Sequence, residues 1–202
     1  MSQPALARKN SHRPQTGEVR IIGGLWKRRK LPVANKPGLR PTPNRVRETL
    51  FNWLGQDLSG WRCFDAFAGS GALAFEAASR GAKEVIACET DPALVAQLLV
   101  SKDKLKADVV LVQRANGLNA MRAQAPASWD LVFLDPPFDS DWLAPSLQAA
   151  ALMLKPGGRV YLEAGQPWTD AQLQPLGWQC QRQLRAGAVH AHLLSLSDGT
   201  SG

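Results

Sequence analysis

Residues 64–72 read F-D-A-F-A-G-S-G-A and join an apolar run to a segment with helical periodicity. Gly69 and Gly71 let a ligand approach the backbone, and the amides that start the next helix are free to bind it. Ligands bind beyond the carboxyl ends of strands in open α/β sheets, so this is a candidate binding loop. Asp65 and the lack of a following Lys-Ser/Thr pair disfavour a phosphate loop. A tight strand–helix turn without a ligand is the alternative.

From residue 61 onward, apolar segments of strand length alternate with segments of helical periodicity. This order predicts an α/β fold with a parallel sheet covered by helices on both faces and joined by right-handed crossovers. The predicted strands are 61–67, 84–88, 109–112, 131–134 and 159–162, and the predicted helices are 71–80, 92–105, 117–124 and 141–153. Two further strands, 176–184 and 188–196, predict a terminal antiparallel hairpin, which is unusual for a dinucleotide dehydrogenase.

The excess positive charge lies in the first third of the chain. Residues 1–60 contain 12 Lys and Arg against 3 Asp and Glu, whereas residues 61–202 contain 12 against 14, so the net charge of +7 divides into +9 and −2. A concentrated basic surface attracts polyanions and gains affinity by releasing their counterions. This distribution favours a nucleic-acid partner, and a solvated basic tail is the alternative.

The N-terminal third also shows local signals of structure. Gly23-Gly24, between two apolar-basic runs within residues 19–33, predicts a tight β-hairpin. Thr42 is a suitable N-cap for the following helix, and Pro43 suits its first position. The predicted organisation is a disordered basic arm at 1–18, a hairpin and helix at 19–58, the main domain at 59–197 and a tail at 198–202.

Two polar residues follow the next predicted strands. Glu89 lies 18 residues after Gly71 at the end of the second strand of the alternation, where an acid can accept both hydroxyls of a ribose. Asp91 is interpreted as the N-cap of the next helix. Asn116 has two open interpretations, because its amide could hydrogen-bond an adenine ring while Asn-Gly is also a common turn pair.

The motif Asp135-Pro136-Pro137-Phe138 follows an apolar strand and carries the most specific chemical signal. The two prolines stiffen the backbone and remove two N–H donors, which leaves the Asp135 carboxylate and the Pro136 carbonyl as rigid acceptors. Such a set suits an exocyclic amino group, which presents two donors. Phe138 would stack on the base that carries this group. A simple Pro-Pro turn after a strand is the alternative.

Several classes of protein are disfavoured. No apolar run reaches the roughly 18 residues that a transmembrane helix needs, and the N-terminus lacks a secretory signal, so we expect a cytoplasmic protein. The three cysteines include no C-x-x-C pair, which disfavours a zinc site or a disulfide framework, and no metal is expected. Cys63 and Cys88 are interpreted as small buried apolar residues.

Three longer strings resemble one known family. R-I-I-G-G-L-W-K-R-R-K-L at 20–31, G-L-R-P-T-P-N-R-V-R-E-T-L-F-N-W-L at 38–54 and F-A-G-S-G-A-L at 67–73 resemble RsmD, the guanine-N2 methyltransferases of bacterial small-subunit ribosomal RNA. The resemblance runs from about residue 19 to 164. It implies a class I S-adenosylmethionine methyltransferase with a Rossmann-like seven-stranded sheet whose last strand is antiparallel. It also implies an rRNA substrate, within the small subunit, for a protein expected to be monomeric.

The resemblance also implies roles for individual residues. The segment before the glycine loop would help to close over the cofactor, and Asn116 departs from the acidic residue common at its position in methyltransferases. The expected cofactor-binding residues are Asp65, Phe67, Gly69, Ser70, Gly71, Glu89, Asn116, Thr42 and Arg45. The expected catalytic residues are Asp135, Pro136 and Phe138. The expected RNA-binding residues are Arg20, Lys27, Arg28, Arg29, Lys30 and Arg40.

Three other functions compete with this expectation. A DNA adenine-N6 or cytosine-N4 methyltransferase would use the same chemistry at Asp135, but 202 residues leave little room for a DNA-reading domain. A catalytically idle RNA-binding assembly factor would not need intact Asp65, Glu89 and D-P-P-F motifs. A protein-glutamine methyltransferase would also present an NH₂ group, but it would not account for the basic N-terminal third.

Overall fold

The computed structural model describes residues 17–34, 36, 42–137 and 141–197. The first sixteen residues of the predicted arm and the predicted tail at 198–202 lie outside these ranges. Strand β1 begins at Gly17, so Gly17 and Glu18 belong to the hairpin rather than to the arm in which the sequence placed them.

The described chain forms a small N-terminal hairpin, one helix and a larger αβ-alternating unit. The strands are β1 (Gly17–Arg20), β2 (Lys30–Val33), β3 (Arg62–Asp65), β4 (Glu84–Glu89), β5 (Val110–Arg114), β6 (Trp129–Leu134), β7 (Leu154–Ala164), β8 (Trp178–Ala186) and β9 (Val189–Leu196). The α-helices are α1 (Asn44–Leu54), α2 (Ala72–Ser79), α3 (Pro92–Leu105), α4 (Gly117–Arg122), α5 (Leu143–Met153) and α6 (Asp170–Leu173). None of these helices is long and apolar enough to cross a membrane.

Seven strands form the central sheet in the order β5-β4-β3-β6-β7-β9-β8. Strands β3 to β7 pair in parallel, and β9 pairs antiparallel with both β7 and β8. The predicted seven-stranded sheet with an antiparallel last strand is therefore confirmed. Because β3 lies at the centre and its neighbours run parallel to it, the ends of β3, β4, β6 and β7 meet at one edge of the sheet.

The two faces of the sheet bury separate cores. One core packs α1 and α2 against the sheet and includes Phe51, Phe75 and Tyr161. The other packs α5 against the opposite face and includes Trp129 and Trp178. Both faces are thus covered by helices, as the alternation of elements predicts.

The glycine pair of the hairpin does not form a tight turn. β1 and β2 pair only as far as Arg20 and Lys30, and residues 21–29 connect them. Gly24 instead packs on the end of α2, where an added Cβ would lie 1.7 Å from the carbonyl oxygen of Ser79. The predicted N-terminal hairpin is therefore confirmed, but its turn is not tight at the glycine pair, because the two glycines pack closely on the end of α2.

A buried ionic network fastens the hairpin and α1 to α2. The Glu76 carboxylate accepts hydrogen bonds from the backbone amides of Ile22 and Gly23, each at 2.8 Å. It also pairs with Arg47 of α1 at 3.2 Å and with Arg80 at 2.9 Å. Moving any one of these groups away would leave a buried charge without a partner, which is costly. The network therefore holds the hairpin, α1 and α2 in one arrangement.

The start of α1 differs from the prediction. The helix begins at Asn44, Pro43 occupies the N-cap position, and no side chain caps the helix. Thr42 is buried, and its hydroxyl is hydrogen-bonded to Glu163, which lies near the end of β7. Thr42 was predicted as the N-cap, which is wrong because its hydroxyl is engaged in this tertiary contact.

Gly24→Ala tests the close packing of the hairpin, and Gly187→Ala is its matched control. Both glycines have a positive φ, +71° and +64°, but Gly187 has open space where a Cβ would lie. Backbone strain alone should cost each variant about 1 kcal/mol, and the clash with Ser79 should cost Gly24→Ala roughly 2 kcal/mol more. Urea unfolding measures both losses. Equal losses would contradict the close contact.

Candidate active site at the carboxyl edge of the sheet

Four acidic side chains lie at or just beyond the carboxyl ends of adjacent parallel strands. Asp65 ends β3, Glu89 ends β4, Asp135 follows β6, and Glu163 lies near the end of β7. The sheet order β4-β3-β6-β7 places these four strands side by side. The fold therefore gathers at one edge carboxylates that are up to 98 positions apart, from 65 to 163, in the sequence.

The glycine loop connects β3 to α2 and is fixed by hydrogen bonds. The amide of Phe67 donates to the Asp65 carboxylate at 3.3 Å, and that of Gly71 donates to the Ala68 carbonyl at 2.7 Å. Gly71 caps α2 with a φ of +80°, and a Cβ there would lie 2.6 Å from the Leu98 side chain. The loop thus needs glycine at residue 71, while Ser70 beside it is buried.

Glu89 is the second fixed acid of the site. Its carboxylate accepts hydrogen bonds from the backbone amides of Gly69 at 3.0 Å, Thr90 at 2.7 Å and Asp91 at 2.9 Å. The contact with Gly69 ties the end of β4 directly to the glycine loop. Carboxylate oxygens have several acceptor sites, so Glu89 remains able to accept further donors from a ligand.

Asp65 is almost completely buried among other acids. Burial raises the pKa of its carboxyl to about 7, and the nearby charges of Glu89 and Glu163 act in the same direction. The backbone amides of Phe67 and Ala74 oppose this rise by donating hydrogen bonds to the carboxylate. A cationic ligand would stabilise the charged form of this buried acid, because its positive charge would offset the repulsion from the neighbouring acids.

Asp135 and Pro136 lie where the D-P-P-F motif predicts, beyond the end of β6. Asp135 is half-buried and Pro136 is buried. Desolvation raises the pKa of the Asp135 carboxyl well above its usual range, and the charges of Glu163 and Asp65 raise it further. Phe138, the predicted stacking residue, lies outside the described residues.

An aromatic pair lies close in sequence to these two motifs. Phe67 of the glycine loop packs edge to face against Trp142, with ring centroids 6.2 Å apart. Phe67 is half-buried, and Trp142, at the start of α5, remains 36% exposed. Trp142 was not among the predicted site residues, because an isolated Trp outside a recognisable motif gives no specific signal.

Glu163 is the acid that the sequence did not reveal. It lies near the end of β7, is buried, and accepts a hydrogen bond from the Tyr161 hydroxyl at 2.7 Å. Thr42 supplies a second hydrogen bond to it. The run V-Y-L-E-A at 160–164 contains one acid without a neighbouring motif, so only the position of Asp135 on the adjacent strand marks Glu163 as part of the site.

Two further predicted cofactor residues, Asn116 and Arg45, lie at the starts of helices rather than at the end of a strand. Asn116 caps α4 by accepting from the Asn119 amide at 3.1 Å, and the adjoining Gly117 packs against Ala66 at the start of the glycine loop. Asn116 and Gly117 form the N-cap and first residue of α4 rather than a turn, and the adenine interpretation stays a prediction. Arg45 is exposed on α1.

The predicted RNA-binding residues within the described ranges lie on the surface of the hairpin. All five are exposed: Arg20, Lys27, Arg28, Arg29 and Lys30. Lys30 also forms a surface ion pair with Glu18 at 2.5 Å. Arg40 lies outside the described residues.

The sheet order, the single antiparallel strand and the glycine loop beside acidic strand ends define a class I methyltransferase fold. A family model described as "Conserved hypothetical protein 95" matches residues 19–195. The chain therefore belongs to this family, which is the RsmD family that the sequence motifs resemble.

Individual relatives agree with this assignment. "Ribosomal RNA small subunit methyltransferase D" of Haemophilus influenzae is 41% identical over 88% of this chain and 93% of its own length. The protein of the same name from Escherichia coli is 38% identical over 90% of this chain and 91% of its own length. The solved structure of a putative methyltransferase, yhhF, from Escherichia coli matches with a TM-score of 0.76 at 39% identity, covering 90% and 99% of the two chains.

Asp65→Asn tests the cost of burying this acid. The folded-state pKa of Asp65 is raised, so protonation favours folding: the wild type loses stability as pH rises from about 4 to about 7. The variant removes this cost and keeps an oxygen acceptor for the Phe67 amide. It should be more stable than the wild type at pH 8, by on the order of 3 kcal/mol, and the difference should vanish near pH 4.

Urea unfolding at several pH values measures this difference. Asp108→Asn provides the control, because it makes the same chemical change at an exposed position and removes no buried carboxylate. A loss of stability in Asp65→Asn that does not depend on pH would contradict the account of the buried acid.

Proposed function

We propose that this protein transfers a methyl group from S-adenosylmethionine to the exocyclic N2 of a guanine in small-subunit ribosomal RNA. The observation that carries the proposal is the position of Asp135 and Pro136 beyond β6, on the same sheet edge as the glycine loop and Asp65. In this proposal, the acceptors for an amino group lie next to a site suited to a cationic methyl donor. The names of the relatives support ribosomal RNA as the acceptor.

The residues of the glycine loop fit S-adenosylmethionine. This cofactor supplies an electrophilic methyl group on a positively charged sulfur. Asp65, buried and repelled by neighbouring acids, suits the ammonium of its methionine part. Glu89, fixed by three backbone amides, suits the ribose hydroxyls.

The acceptors at residues 135–136 explain how the amino nitrogen is activated. The Asp135 carboxylate and the Pro136 carbonyl accept the two N–H groups, which directs the nitrogen lone pair away from the ring and toward the methyl donor. Positive charge grows on the nitrogen during transfer, and the carboxylate stabilises it. No strong base is required beforehand, since positioning and electrostatic stabilisation carry most of the rate.

The exposed cations of the hairpin form the proposed RNA-binding surface. Lys27, Arg28 and Arg29 lie in a connection held rigidly on α2, because the Leu25 amide donates to Ser79 at 2.7 Å and the Trp26 amide donates to the Ser79 hydroxyl at 2.9 Å. A rigid cationic surface binds phosphates without a large ordering cost. This surface favours RNA over a protein-glutamine substrate.

Asp135→Asn and Asp135→Ala test the proposed role of the carboxylate. Asn keeps one acceptor but adds a competing NH₂ donor, so single-turnover methylation should fall by at least about 100-fold. Ala should be worse, since it removes both acceptor and charge. Both variants should bind S-adenosylmethionine within a few-fold of the wild type in calorimetry. The exposed Asp108→Asn should methylate normally, and a near wild-type rate for Asp135→Ala would refute the mechanism.

A further inference from the structure

Asp135 and Glu163 occupy neighbouring positions at the ends of adjacent strands. β6 and β7 pair Phe133 with Tyr161 and Leu134 with Leu162, so the next residues are Asp135 and Glu163. The rings of Phe133 and Tyr161 pack together at 6.3 Å. Because side chains alternate along a strand, the residues two positions later lie on that same face. The Asp135 and Glu163 carboxyl groups therefore lie on the same face of the sheet, at the ends of adjacent strands.

The hydrogen bonds of the two acids are unequal. Glu163 receives the Tyr161 hydroxyl at 2.7 Å and a bond from Thr42. Within the described part of the chain, no donor reaches the Asp135 carboxylate. Hydrogen bonds to a carboxylate stabilise its charged form, and two like charges in one buried site repel each other. Burial raises the pKa of both carboxyls, but the hydrogen bonds from Tyr161 and Thr42 favour the charged form of Glu163, so a first negative charge lies on Glu163 and a second one on Asp135 is costly.

The other ionisable groups that face this pair do not offset the repulsion. Asp65 on β3 adds negative charge, and Glu89 on β4 acts on Asp65 in the same direction. On β9, the residue paired with Glu163 is Ala191, which does not ionise. The next residue, His192, directs its ring toward the Trp168 amide, from which it accepts a hydrogen bond at 3.2 Å.

Building on the proposed function, we propose that Asp135 and Glu163 form a carboxyl pair that holds one proton and recovers one from the guanine amino group in each turnover. With a cationic methyl donor bound beside Asp65 and Asp135, the resting proton would leave the pair for solvent. During transfer the nitrogen lone pair forms the N–CH₃ bond, and the S–CH₃ electron pair stays on sulfur. One N–H bond then breaks, its electrons return to nitrogen, and the proton joins an oxygen of Asp135.

Glu163 is a positioning residue in this scheme, because it acts through Asp135. Its charge, held by Tyr161 and Thr42, makes the Asp135 oxygen basic enough to take the proton. The charge also sets the pH below which Asp135 stays protonated and cannot accept the amino group. Removing that charge should lower this pH.

Glu163→Gln is the test, since it removes the charge but keeps an oxygen that accepts from Tyr161. In infrared spectra of the protein without cofactor at pH 8, the wild type should show a protonated carboxyl band that is lost in the variant. In single-turnover methylation of small ribosomal subunits, the acid limb of the rate profile should move to lower pH by about one unit or more. Glu163→Asp, which restores the charge, should return the limb toward the wild-type position.

Glu84→Gln is the matched control, because it removes one carboxylate at the opposite end of β4, where Glu84 pairs with Arg62. It should change neither the band nor the limb. Tyr161→Phe is the second variant: with one donor to Glu163 removed, part of the proton should move there, and the carboxyl band should shift.

An unchanged band and limb in folded Glu163→Gln and Tyr161→Phe would overturn the pair. Absence of methylation by the wild type would instead refute the proposed function, and the infrared comparison would still decide whether the two acids share a proton.

Discussion

Repulsion among buried carboxylates at one edge of the sheet is the constraint on which the site depends. Parallel strands end at the same edge, so Asp65, Asp135 and Glu163 are brought together and partly removed from water. Burial raises the pKa of each carboxyl, the charge of Glu163 raises the pKa of Asp65 further, and the charges of Glu163 and Asp65 raise that of Asp135 further. The fold tolerates this cost because backbone amides and hydroxyls oppose it at Asp65 and Glu163. A cationic cofactor and an amino group with two donors are the ligands that relieve it.

A second set of buried charges fixes the position of the N-terminal hairpin. Glu76 and Arg47 join α2 to α1, and amides of the hairpin connection complete the coordination of the Glu76 carboxylate. Since α2 begins at the glycine loop, the proposed RNA-binding surface and the proposed cofactor site lie at opposite ends of one short helix. The hairpin is therefore held in a defined position relative to the site, which favours delivery of one nucleotide to Asp135.

The sequence predicts the αβ alternation, the antiparallel last strand and the two motifs at 64–72 and 135–138, because each depends on local pattern. It fails where tertiary contacts decide. Gly23-Gly24 resembles a turn, but the two glycines pack against Arg80 and Ser79 at the end of a helix more than fifty residues later. Thr42 resembles a cap but binds Glu163, and Glu163 has no local signal, since its partners come from another segment and from an alternate position on its own strand.

The identity of the methylated atom tests the central claim most directly. Small ribosomal subunits from cells that lack this protein are incubated with the purified protein and isotopically labelled S-adenosylmethionine, and the RNA is then digested to nucleosides for mass spectrometry. The account predicts label in N2-methylguanosine at a single position of the RNA. Label on another atom or base, or no transfer to RNA by protein that binds the cofactor, would contradict it.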